Sequence, residues 1–176
     1  VLEEFDHKHL NLDLPYFERQ IPTSENIARV LWDKLQAQPD IGSLQRLSLY
    51  EDEDLCADLT AEAGLEVASV TRRYSFTAVH DGHRGHTWDL FVSVHGPIDR
   101  ETGMVTDIVA LDHLLKERVL VPFDGRDLRI VLATPSVTGE YLAKAVWDRI
   151  ASAIPAGTLQ LVKLVQTRDL FYEYAG

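Results

Sequence analysis

Three histidines fall within seven residues, at His80, His83 and His86. Neutral imidazoles grouped this closely can hold Zn2+ while leaving a coordination position open to a ligand oxygen. The same spacing also suits a hairpin tip with solvated rings. Asp6 and His7 are adjacent. A carboxylate beside an imidazole can orient the ring, support its charged form and so make a proton shuttle. Glu51 opens the acidic run Glu51-Asp52-Glu53-Asp54. A carboxylate at a strand end can accept paired hydrogen bonds from a ligand's N–H groups; a solvated turn would use the same residues. The single cysteine, Cys56, reads as a small core side chain, and His9, His95 and His113 read as surface or structural.

These residues are distributed unequally over a chain that repeats part of itself. Shifted by 115 positions, TSENIARVLWDKL (Thr23 to Leu35) falls on TGEYLAKAVWDRI (Thr138 to Ile150), and LQRLSLYEDEDL falls on LQLVKLVQTRDL. At a shift of 118, FDHKHLN (Phe5 to Asn11) meets FDGRDLR. Such self-similarity marks one supersecondary unit used twice. His7 then faces Gly125, His9 faces Asp127 and Glu51 faces Gln166. One copy keeps its reactive groups and the other has lost them.

The elements that must carry them follow from periodicity. Residues 66–80 and 85–99 read as strands joined by a short turn, with Trp88, Leu90, Val92 and Val94 alternating onto one face. RETGMV turns the chain, with Gly103 in a left-handed conformation. Ile108, Leu111, Leu114 and Leu115 predict a helix over 105–118. The connector PFDGRDLR, a helix over 138–153 and strands over 158–166 and 169–175 complete a ββααββ order. The first copy holds only the later elements: a connector over 1–22, a helix over 24–37 capped by Thr23 or Ser24, and strands over 43–51 and 54–60. The expected division is therefore a partial unit at 1–60 and a complete unit at 66–176. Trp32 and Trp147 occupy equivalent helix positions and are expected to pack. Because the chain opens inside what reads as a helix end, an upstream hairpin and helix are expected in the gene.

Composition bounds the function. Apolar residues make up 45% and the formal net charge is −11, a balance that suits a packed globular domain and disfavours nucleic acid, whose phosphates need clustered Lys and Arg. No apolar run approaches the ~18 residues of a membrane span. A lone cysteine suits a reducing cytoplasm.

The motifs resemble the family of 6-pyruvoyl- and 6-carboxytetrahydropterin synthases. Phe76-Thr77-Ala78-Val79-His80 matches the family's F-x-A-x-H, Gly85-His86-Thr87-Trp88 resembles its G-H-N-Y, and Asp99 to Asp107 follows its D-x-x-T-G-M-V-x-D turn. Phe5 to Asn11 and Pro22 to Ala28 match its later motifs. The resemblance implies an α+β tunnelling fold (T-fold): an antiparallel sheet with two helices on one face, assembled as homo-oligomers through sheet edges. It implies a zinc-dependent lyase acting on a pterin, 7,8-dihydroneopterin triphosphate. His80, His86 and a substituting His83 would hold the zinc, Asp6 and His7 would transfer protons, and Glu51 with Thr23 would bind substrate. The chain departs from the pattern where Arg84 replaces one histidine and where the loop carrying the family's catalytic cysteine is cut short. Two alternatives stay open: a non-catalytic scaffold, which would lack zinc, and a pterin-binding module, which would bind without turnover.

Overall fold

A computed structural model describes residues 1–80 and 85–176. Its strands are β1 (Arg46–Tyr50), β2 (Leu55–Thr60), β3 (Val67–Ala78), β4 (His86–Pro97), β5 (Thr158–Thr167) and β6 (Leu170–Tyr174), and they follow one another in that order across a single sheet. β1 and β2 pair antiparallel, as do β5 and β6. Three longer helices accompany them: α1 (Ser24–Gln36), α2 (Ile108–Leu115) and α3 (Gly139–Ile150). Packing divides the chain into two compact units, residues 1–70 with 95–105 and residues 71–94 with 106–176. β3 and β4 run through both. The expected division at 60–66 follows the sequence copies, whereas packing assigns the far end of the β3–β4 hairpin to the first unit.

In the first unit α1 lies on β1 and β2. Its buried positions Ala28, Leu31 and Trp32 recur at helical spacing. The register Leu47↔Leu59 and Leu49↔Ala57 places small and branched apolar side chains on one face of the β1–β2 ribbon; Ala57 and Leu59 are fully buried.

In the second unit α3 lies on β5 and β6, with Leu142, Ala143, Val146 and Ile150 buried. Alternation along β4 buries Trp88, Leu90, Val92 and Val94, as the period-2 pattern predicts. The helix expected over 105–118 is displaced. It starts at Ile108 because Asp107 caps it, its Oδ1 accepting from the amides of Val109 (2.9 Å) and Ala110 (3.1 Å). It then continues through a π-helical turn, Lys116–Leu120, to Phe123. Leu115, Val119 and Phe123 stay buried along that extension.

The sequence-matched segments take the same local backbone. Thr23 and Thr138 both cap a helix from an extended conformation (φ −70°, ψ 162° and φ −79°, ψ 163°), each accepting from the amide three residues on at 3.3 Å. His9 and Asp127 precede short helices at φ −82°. His7 and Gly125 both lie in the left-handed region, at φ 54° and 69°.

Candidate functional site

The start of α1 spreads three consecutive side chains over three partners. The Thr23 hydroxyl donates to the Gly103 carbonyl at 2.6 Å while accepting from the Asn26 amide. The Ser24 hydroxyl donates to Glu51 Oε2 at 2.8 Å. Glu25 Oε1 accepts from the Val105 amide at 2.9 Å. Asn26, also buried, donates to the Ile21 carbonyl. The family-pattern turn is thus seated on the helix start. Within it Asp99 Oδ1 accepts from Thr102 and Glu101 amides, which hold its carboxyl below the usual range, and Gly103 is left-handed as expected.

Glu25 is only 5% exposed. Burial pushes its carboxyl up, the Val105 hydrogen bond opposes that rise, and nearby Glu51 adds to it. The two carboxylates therefore differ in kind: Glu25 is buried and committed to backbone, whereas Glu51 is exposed with one oxygen engaged by Ser24. That leaves Glu51 the acceptor that a ligand's paired N–H groups can reach.

Asp6 and His7 form a second arrangement in the same unit. His7 Nδ1 lies 2.8 Å from Asp6 Oδ1, with the side chains 92% and 72% exposed. Their segment is tied to α1 from one side. The Tyr16 hydroxyl donates to Glu4, Lys34 bridges to Glu4 at 2.6 Å and lies over the Tyr16 ring, and Phe5 stacks on Tyr16. With Nδ1 facing the carboxylate, Nε2 is the nitrogen presented outward. The left-handed backbone at His7 puts a β-carbon where glycine would be at ease.

In the second unit the connector Phe123 to Leu128 lies along the end of β3. The Thr77 amide donates to Asp124 Oδ1 at 2.8 Å, the Gly125 amide to the Thr77 carbonyl, and the Val79 and Arg126 main chains pair. His80 and His86 are brought together, ring centroids 6.4 Å apart and edge to face, with Trp88 at 5.3 Å from each. His86 Nε2 is hydrogen-bonded to the Gln166 carbonyl at 2.7 Å. His83 lies outside the described residues. Among the described residues no group of three His, Cys, Asp or Glu side chains could hold a metal ion.

Three features escaped sequence reasoning. Glu25 was visible as a first-turn acid, but its burial was not. Tyr172, which crowds the start of α3, could have been found by reading the 115-residue shift onward to Ala57. The third is an open groove of about 440 Å3 in the second unit, where Tyr74 donates to Asp112 and Arg72 pairs with the same carboxylate. The remaining histidines are as expected, His95 facing the Ser69 hydroxyl at 3.1 Å. Trp32 is buried, and Trp147 packs against Tyr174.

No helix among the described residues is long and apolar enough to cross a membrane. The sequence profile of the 6-pyruvoyl tetrahydropterin synthase family matches residues 1–62 and 65–176. The human 6-pyruvoyl tetrahydrobiopterin synthase is 31% identical over 134 residues, covering 62% of this chain and 92% of that protein. The Drosophila melanogaster protein of the same name is 30% identical over 136 residues, covering 62% and 80%. Among solved structures, Caenorhabditis elegans 6-pyruvoyl tetrahydropterin synthase superposes with a TM-score of 0.58 at 23% identity, over 62% of this chain and 96% of that one. That likeness, with the strand order and helix placement above, identifies the tunnelling fold. The chain belongs to the 6-pyruvoyl tetrahydropterin synthase family.

Proposed function

We propose that the chain is a pterin synthase-like lyase whose working groups are those of the first sequence copy, acting on 7,8-dihydroneopterin triphosphate to form 6-pyruvoyl- or 6-carboxytetrahydropterin. The observation that carries this reading is the backbone at His7. Its sequence counterpart Gly125 holds the same left-handed conformation without strain, whereas His7 holds it with a side chain and a carboxylate partner. A histidine kept where glycine is the easier residue argues that its imidazole has work to do.

In this reading Asp6 orients His7 through Nδ1, leaving Nε2 to take a proton from a side-chain carbon of the substrate and pass it to the reduced pterin ring while triphosphate leaves, which gives the 6-pyruvoyl product; the 6-carboxy product further requires the outer two side-chain carbons to leave as acetaldehyde. Glu51, steadied by Ser24, accepts the amino and ring N–H of the pterin as a pair. Thr23 fixes the helix start from which Ser24 reaches Glu51. Gly125 cannot transfer a proton, and Gln166 offers one neutral acceptor oxygen where Glu51 offers two charged ones. The outer strands β1 and β6 expose the edges through which copies of the chain would associate.

The test is turnover of dihydroneopterin triphosphate by the protein, followed as triphosphate release and pterin formation. His7→Ala should abolish turnover with the fold retained. Full activity in that variant would sink the assignment, and pterin binding without product in the wild type would favour a binding module instead.

A further inference from the structure

We infer that the second unit has closed its own counterpart of this site, so that it takes neither a metal ion nor a flat heterocycle and serves to complete the fold. The inference deepens the reading above and rests on its assignment of the first-copy groups.

The 115-residue shift that pairs Glu51 with Gln166 also pairs Ser24 with Gly139 and Ala57 with Tyr172. These last two changes fit together physically. A β-carbon on Gly139 would lie 2.1 Å from Cδ2 and Cε2 of Tyr172, so the phenol ring is seated directly on the start of α3 and only glycine fits beneath it. In the first copy the same helix position carries Ser24, whose hydroxyl holds Glu51, and the strand position carries a methyl group.

The Tyr172 ring then continues into a packed cluster. Its hydroxyl donates to Gln166 Oε1 at 3.3 Å, and its ring lies 6.2 Å from that of Trp88. Trp88 is 1% exposed and is flanked by both His80 and His86. The main-chain oxygen of Gln166 engages His86 Nε2. The His86 imidazole and the Gln166 side-chain amide are therefore both bonded within the unit, and an aromatic ring lies over the helix start. The closure carries a cost, since the buried Trp88 Nε1 is without an acceptor among the described residues.

Two measurements on the full chain test this without using turnover, so they stand or fall separately from the lyase reading. The chain is dialysed to equilibrium against ZnCl2, and metal per chain is measured for wild type, His80→Gln and His86→Gln. Equal zinc in all three, or none in any, is expected. Loss of about one ion per chain in either variant would overturn the inference, as would a zinc-induced rise in melting temperature that His86→Gln removes. The second measurement is a melting cycle. Gly139→Ser should lower the melting temperature by several degrees, and adding Tyr172→Ala should recover at least half of that loss. A Gly139→Ser variant that melts with the wild type would show that the ring does not fill the site.

Discussion

Replacing His7 with glycine separates what the imidazole does from what its backbone costs. A non-glycine residue in the left-handed region carries about 1–2 kcal/mol of strain, and His7 sits there at φ 54°. Glycine relieves it but adds unfolded-state freedom of about 0.5–1 kcal/mol. Removing the ring also removes its pairing with Asp6, which is almost fully exposed and contributes little. The balance is a folded state unchanged or more stable by up to about 1.5 kcal/mol, a rise of at most roughly 3–6 °C for a chain of this size. If the ring is the proton carrier, turnover should fall by about 10²–10⁴-fold. Gly125→Ala is the matching control, because a β-carbon there meets nothing within 4 Å. It should lose about 1 kcal/mol from strain alone, with turnover unchanged. Differential scanning calorimetry and steady-state kinetics read both effects. A His7→Gly protein that melts much lower and turns over normally would show that the ring is structural.

Three further outcomes follow from the same geometry. Glu25→Ala leaves the Val105 amide without its acceptor and should cost about 1–3 kcal/mol by denaturant titration, whereas Glu25→Gln keeps an acceptor and should cost less. Because burial raises the Glu25 carboxyl, its contribution is present below the unfolded carboxylate range and is lost as pH rises through the folded value; Glu25→Gln should flatten that slope. Thr23→Ala should destabilise more than Thr138→Ala. Both lose a cap of about 1 kcal/mol, but Thr23 also loses its bond to the Gly103 carbonyl. Burial first, and Asp58 second, push the Cys56 thiol up to about 11. Its alkylation at pH 8 should be slow until the protein is unfolded, and stability should fall as pH rises from the unfolded thiol range toward 11.

How far the sequence reads depends on where each signal lies. The β3–β4 hairpin, α1, α3 and the β5–β6 pair were legible because burial on one face imposes a period that survives in the residues themselves. The limits of α2 were not. Val105 looks like a helix start, but its amide is taken by Glu25 from a distant part of the chain. Pro122 looks like a stop, but the Val121 amide reaches the Lys116 carbonyl through a wider turn and the helix continues. β1 begins at Arg46 rather than residue 43 because the Gln36 side chain accepts the Leu44 amide and holds that segment as a loop. In the site, Asp6, His7 and Glu51 were visible as residue types in a pattern. The conformation of His7 and the seating of Tyr172 on Gly139 were not, since each depends on packing that no local window contains.

The claim that the first copy does the chemistry and the second does not is tested most directly by pairing Glu51→Gln with Gln166→Ala. Each chain is assayed for triphosphate release from dihydroneopterin triphosphate. The geometry predicts a loss of at least tenfold in kcat/KM for Glu51→Gln, with the melting temperature within a degree or two (a bound set by ~0.5 kcal/mol for an exposed substitution), and near-normal turnover for Gln166→Ala. Equal losses in both variants, or a larger loss at Gln166, would contradict it.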